Sequence, residues 1–185
     1  DRGVEAKKYL LERGLSEKYI KLFKVGFAPE NSKYLLNVIK SKNYNQEVLE
    51  KSGLFGFSND EFFDRFRSRI MFPISNSSGK IIAFGGRVFG TDDPAKYMNS
   101  PETPLYRKSE IFYGLNITRG AIREKDFTIL VEGYTDLIQL FQAGIKNVVA
   151  VSGTAFTDRH VKQIRRFTTK VYLAYDLSLI HISEP

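Results

Sequence analysis

From residue 127 onward the chain alternates three continuous apolar runs with two segments of helical period, and that rhythm leaves few folds open. FTILVEG (127–133), NVVAVSG (147–153) and KVYLAYD (170–176) have strand length and lack the polar alternation of a half-exposed strand. Between the first two, YTDLIQLFQAG sets Leu137, Ile138 and Phe141 on one helical face and closes at Gly144. Between the last two, Asp158 to Phe167 reads as a helix with Thr157 as its cap. Buried strands alternating with helices predict a parallel sheet with flanking helices.

That arrangement gives two carboxylates a special place. Glu132 and Asp176 close the first and third strands, and ligands of open parallel sheets gather beyond those ends, at the switch in strand order. A 2-1-3 order sets the two side by side, and Asp136, one helical turn past Glu132, faces the same site. Paired carboxylates suit a hard, oxygen-seeking cation such as Mg²⁺. The same residues also read as a helix-dipole partner and a loop acid.

The first half has a different rhythm. Residues 4–13, a second short segment capped by Ser16 and containing Ile20 and Phe23, 31–41 and 45–51 read as helices. RIMFPI (69–74) and KIIAFGG (80–86), joined by the turn NSSG (76–79), read as a hairpin in which Pro73 marks an edge or a bulge. Residues 91–110, with three prolines, read as a polar loop.

Charge is uneven. The chain carries 28 Lys and Arg against 21 Asp and Glu, and residues 65–108 hold eight of the cations against three carboxylates. A basic surface fits a polyanion. Interleaved Phe66, Phe72, Phe84, Phe89, Tyr97 and Tyr106 offer stacking faces for bases, although most of the Phe belong in the core. Cysteine is absent, which removes disulfides and thiolate metal sites, and His160 and His181 lie too far apart in sequence to form a metal-ligand cluster. The charged start, DRGVEAKKYL, and the lack of a long apolar run predict neither a leader nor a membrane partner, and the absence of cysteine fits a cytoplasmic location.

DRFRSRIMFPISNSSGKIIAFGGRVFG (64–90) and AKYMNSPETPLYRKSEIFYGL (95–115) closely resemble the RNA polymerase core of bacterial replicative primases, and VEGYTDLIQLFQAGIKNVVAVSGTAFT (131–157) resembles the first part of the Toprim fold. The resemblance implies an α+β N-terminal subdomain (1–120), followed by a partial α/β Toprim fold (121–176), a parallel sheet with flanking helices. It implies DNA-templated synthesis of RNA primers from ribonucleoside triphosphates on a single-stranded DNA template, with Mg²⁺ (or Mn²⁺) as cofactor. Glu132 and Asp176 are then catalytic, and Glu132, Asp136 and Asp176 bind metal. Lys96, Asn99 and Lys108 line the nucleotide and template path, while Arg67 and Arg87 contact phosphates. A replicative helicase would be a partner through a downstream domain which, like the upstream zinc-binding domain of the family, is not in these residues. Where the family continues Asp-Gly-Asp, this chain reads Asp176-Leu177-Ser178, and 177–185 look like a non-family tail on a truncated, inactive and aggregation-prone fragment. The other readings are a different Toprim enzyme (a topoisomerase or nuclease) and a non-catalytic nucleic-acid-binding module. KYMNSPET and the lack of an obvious nucleophilic tyrosine motif count against the first.

Overall fold

Asp1 starts the first helix, α1 (Arg2–Glu12), by accepting a hydrogen bond from the Gly3 amide at 2.9 Å, one of the donors a helix start leaves without an internal partner. This computed structural model describes residues 1–153 and 155–175, which fall into two units: 1–75 with 80–108, and 76–79 with the chain from 109 onward.

In the first unit α1 buries Ala6 and Leu10. α2 (Glu17–Leu22) follows, and Ile20 and Phe23 are buried. Ser16 occupies the cap position of α2 with extended backbone, but its side chain makes no capping bond, so that part of the sequence reading is corrected. After β1 (Gly26–Ala28) comes α3 (Tyr34–Ile39), which runs on into a 3-10 turn (Lys40–Lys42). The buried carboxylate of Asp64, nearly thirty residues away in sequence, accepts from the Leu35 (2.6 Å) and Leu36 (3.0 Å) amides in the first turn of α3. α4 (Gln46–Lys51) is capped locally, Asn45 accepting from the Val48 amide at 2.9 Å.

β2 (Phe55–Ser58) and β3 (Glu61–Asp64) pair antiparallel around Asn59 and Asp60, both in the left-handed conformation (φ 50° and 60°). β4 (Arg69–Ser75) and β5 (Ile81–Val88) form the hairpin anticipated around Asn76–Gly79. β6 (Tyr97–Asn99) lies inside the stretch read as loop and completes an antiparallel sheet in the order β1-β4-β5-β6. Pro73 sits in an interior strand, yet β1 reaches only as far as Met71, and the register shifts between Ile74 and Ser75. The proline is tolerated because no β1 residue needs its missing amide.

The second unit contains α5 (Leu115–Lys125), β7 (Thr128–Val131), α6 (Tyr134–Gln142), β8 (Val148–Ala150), α7 (Asp158–Ile164) and β9 (Val171–Leu173). Its strands pair in parallel in the order β8-β7-β9, with Ile129 opposite Val148 on one side and Tyr172 on the other, and Tyr113 adds an antiparallel bridge to Ala150. Val148, Val149 and Ala150 are all buried; since successive side chains point to opposite faces, both faces of β8 are covered. α5 gives Leu115 and Ile122, and α7 gives Ile164, to one cluster with Leu130, Val149 and Val151. α6 turns Tyr134, Leu137, Ile138 and Phe141 inward. Thr157 caps α7 as its position predicts, accepting from the His160 amide while its hydroxyl donates to the Ser109 carbonyl (2.6 Å). At the sheet edge Tyr172 and Leu173 are 59% and 61% exposed.

Candidate active site and nucleic-acid interface

The acidic site is built by the exit from β7. The chain leaves the central strand through Glu132 and Gly133 directly into α6, so Glu132 stands at the carboxyl end of that strand, half-buried. Its carbonyl accepts from the Ser152 amide at 2.9 Å, which ties this exit to the one after β8. Asp136 lies in the first turn of α6, and its Oδ2 accepts from the Gly133 amide at 3.0 Å. A β-carbon at Gly133 would stand 2.7 Å from that oxygen, so a larger residue there would push the Asp136 carboxylate aside.

β9 runs beside β7 with Leu173 opposite Leu130, and the Ala174 amide donates to the Leu130 carbonyl at 2.9 Å. The next residue, Tyr175, has its phenol pKa pushed up by burial and, second, by the charge of Glu132. The edge strand therefore arrives beside Glu132. Asp176, named from the sequence as catalytic and metal-binding, lies outside the described residues, as does the 177–185 tail.

The donor set suits a hard dication: both described acids offer carboxylate oxygens, and Asp136 uses only Oδ2 on the Gly133 amide. Two carboxylates alone do not complete a site, and no group of three His, Cys, Asp or Glu converges among the described residues. Because Asp136 also caps α6, Gly133→Ala should displace its carboxylate and lower stability by about 1 kcal/mol. Thermal unfolding of the chain measures this; an unchanged midpoint would mean that the Asp136 bond adds nothing.

The basic residues named from the sequence lie in the first unit. β5 and β6 set Arg87 opposite Tyr97 and Gly85 opposite Asn99, so Arg87, Tyr97 and Asn99 share one face, with the side-chain-free Gly85 between them. The Arg87 guanidinium donates to the Tyr97 hydroxyl (2.8 Å) and lies over the rings of Tyr97 and Tyr9. Tyr97 is 45% exposed, whereas Phe66, Phe72 and Tyr106 are core, and burial pushes the Tyr106 phenol up to about 12. Arg67 is exposed, donating to the Asp64 carbonyl and lying over the Phe63 ring. Lys96 is exposed and Lys108 half-buried, and neither forms an ion pair with a described carboxylate.

Arg69, counted from the sequence with the basic surface, does not belong to it. Its side chain is 1% exposed; it donates to Asp93 (2.6 Å) and to the Ala95 carbonyl (2.8 Å). Gly86 makes room for it, since a β-carbon there would stand 3.0 Å from both the Arg69 stem and the Phe66 ring. Within FGGR, one glycine opens the Arg87 face and the next admits Arg69. The run RIMFPI put Arg69 in a strand, but the sequence held no signal that its partner was the loop at 93–95.

A parallel β8-β7-β9 sheet with an acid at the end of its central strand is the beginning of a Toprim unit, and residues 126–179 match the Toprim domain. Residues 1–119 match the DNA primase catalytic core, N-terminal domain. The chain belongs to the bacterial DNA primase family. The DNA primase of Staphylococcus aureus (strain COL) is 40% identical over 176 residues, which are 94% of this chain and 29% of that protein. The RNA polymerase domain of Mycobacterium tuberculosis primase DnaG superposes with a TM-score of 0.88 at 34% identity, over 94% of this chain and 60% of the other. A DnaG primase catalytic domain bound to ssDNA superposes at 0.84 with 41% identity, over 93% and 54%. The chain thus spans less than a third of the length of the curated relatives it matches. Among the described residues no helix is long and apolar enough to cross a membrane.

Proposed function

We propose that this chain supplies the template-holding surface and part of the metal-binding edge of an enzyme that synthesises short RNA primers on single-stranded DNA from ribonucleoside triphosphates. The observation that carries the reading is Glu132 at the end of the central parallel strand, in a chain whose N-terminal 119 residues match a primase core. In the reaction a 3′-hydroxyl attacks the α-phosphate of the incoming nucleotide and pyrophosphate leaves. Mg²⁺ (or Mn²⁺) would offset the charge of the triphosphate and favour the ionised hydroxyl. Glu132, Asp136 and Asp176 would hold it, with Asp136 kept in place by the Gly133 amide. Arg67, Arg87, Lys96, Asn99 and Lys108 would hold template and nucleotide, mostly through phosphates, with Tyr97 as a stacking ring. The setting would be the cytoplasmic replication fork, with the replicative helicase reached through a further domain.

Template-dependent labelling of short RNA by a version extended to the full length of the relatives tests this; DNA binding without any RNA product would leave only a binding module. The 185-residue chain should itself be inactive, because Leu177 and Ser178 stand where the family carries Gly and a second Asp.

Charge reversal at Lys96 or Lys108 should weaken binding of labelled oligothymidylate and lower the slope of log affinity against log salt by about 0.7 for each lost phosphate contact. The deficit should shrink as salt rises. Unchanged affinity at low salt would make these lysines ordinary surface charge.

A further inference from the structure

The second unit carries a basic face that the acidic site does not use. Residues 159–170 contain five Lys and Arg and no Asp or Glu. Arg159, Lys162, Gln163 and Arg166 are spaced three, four and seven apart, and together with Glu110 and Ile111 they line one open groove of about 390 Å³. Glu110 pairs with Arg159 and Asp126 with Lys170, but Lys162, Arg165 and Arg166 are exposed and pair with no described carboxylate. Like charges one helical turn apart, as at 159 and 162 within α7, oppose the helix that displays them, and Arg166 adds a third cation just past its end, so the cluster is unfavourable without an anion. Within the groove one anion is already present, the Glu110 carboxylate on Arg159, and it leaves two of the three cations unneutralised. Gln163, between them, has its Oε1 buried without a hydrogen-bond partner among the described residues.

We infer that the α7 groove is a second contact for the phosphate backbone of single-stranded DNA, separate from the Arg67–Lys108 surface of the first unit. The occupant follows from charge. Lys162 is a point donor and Arg166, just past the end of α7, a fork donor four residues on, while Arg159 extends the row three residues the other way. A row of cations matches a chain of phosphates better than a single compact anion, and the groove offers no exposed aromatic ring to stack a base. The contact is therefore non-specific in sequence. It rests on the nucleic-acid reading given above.

The test compares the full chain with Lys162→Glu/Arg166→Glu and with the milder Lys162→Gln/Arg166→Gln, using labelled oligothymidylate across a salt series. Lys18→Glu/Lys42→Glu, exposed in the first unit, matches the first variant in net charge. Both α7 variants should lower the salt slope by about 1.4, two contacts at about 0.7 each, and the reversal should weaken binding about tenfold at low salt. Circular dichroism should show all variants folded, and the glutamine pair keeps the test valid if the reversal unfolds α7. An unchanged slope, or an equal loss in the Lys18/Lys42 control, overturns the α7 contact while leaving the first-unit surface intact. Displacement of the DNA from α7 by free nucleoside triphosphate at equal phosphate concentration also overturns it, in favour of a nucleotide site. If the unaltered chain binds no oligothymidylate, the functional reading falls together with this one.

Discussion

Glu132→Gln, made in a version extended to the length of the relatives, should cut primer synthesis by at least about 100-fold, about 2.7 kcal/mol of transition-state stabilisation. The substitution keeps the shape of a half-buried side chain and removes only its charge, so the fold should tolerate it. On the proposed reading the loss is that of a hard oxygen ligand at the end of the central strand, since the uncharged amide oxygen of Gln is a much poorer partner for a dication. Affinity for single-stranded DNA should stay within about twofold, because the proposed phosphate contacts are made by basic residues and not by Glu132. The variant also relieves Tyr175 of a neighbouring negative charge, so its phenol should titrate lower than in the parent chain, which ultraviolet titration reads without any assay of activity. Normal primer yield at ordinary Mg²⁺ would remove Glu132 from catalysis. Loss of synthesis together with a lowered melting temperature would point to a structural role instead.

The parts of this protein that could be read from its sequence are those whose causes are local. Three apolar runs, with a Gly-closed helix and a Thr-capped helix between them, fix the β8-β7-β9 unit, because strand burial and helix ends are both written within a few residues. The Asn76–Gly79 hairpin and the Thr157 cap follow for the same reason. Elements with non-local causes were missed. β6 is three residues in a proline-rich stretch and exists because β5 offers it an edge. β1 likewise pairs to β4 over three residues. α5 went unread because Gly120 and its many polar residues dilute the apolar stripe of Leu115 and Ile122. The start of α3 depends on Asp64, which no window of helical length contains. At the site, Glu132 and Asp136 are legible from the strand-to-helix junction, whereas Tyr9 beneath Arg87 is not, since that contact joins α1 to β5.

Arg69→Met should lower the stability of the chain by about 1–3 kcal/mol and at the same time weaken DNA binding through a residue it does not touch. The contest of effects is explicit. Methionine keeps the stem that packs over Gly86 and spares the fold a desolvated cation, which favours the variant. Against that, the bonds to the Asp93 carboxylate and the Ala95 carbonyl disappear, and charge-assisted bonds are the stronger kind. Asp93 is 39% exposed and can turn to water, so the loss stays below that of stranding a fully buried charge. Removing the other partner is different: Asp93→Ala leaves the guanidinium at 1% exposure without its counter-charge, and should cost more than Arg69→Met. The double variant should resemble Arg69→Met alone. The pair also carries a pH signature. The Asp93 carboxyl is held below its usual range by the Ala95 amide and by the Arg69 charge, so its contribution is complete above about pH 4 and fades as pH falls further. Arg69→Met should flatten that acid limb. Lys96 directly follows the tethered Ala95, and untying the loop lets it move, so oligothymidylate binding should fall even though Arg69 is buried. Urea titrations of the three variants between pH 3 and 7 decide the matter. If Asp93→Ala proves milder than Arg69→Met, the buried guanidinium does not depend on its counter-charge, and the account of the 93–96 loop as an anchored arm for Lys96 is wrong.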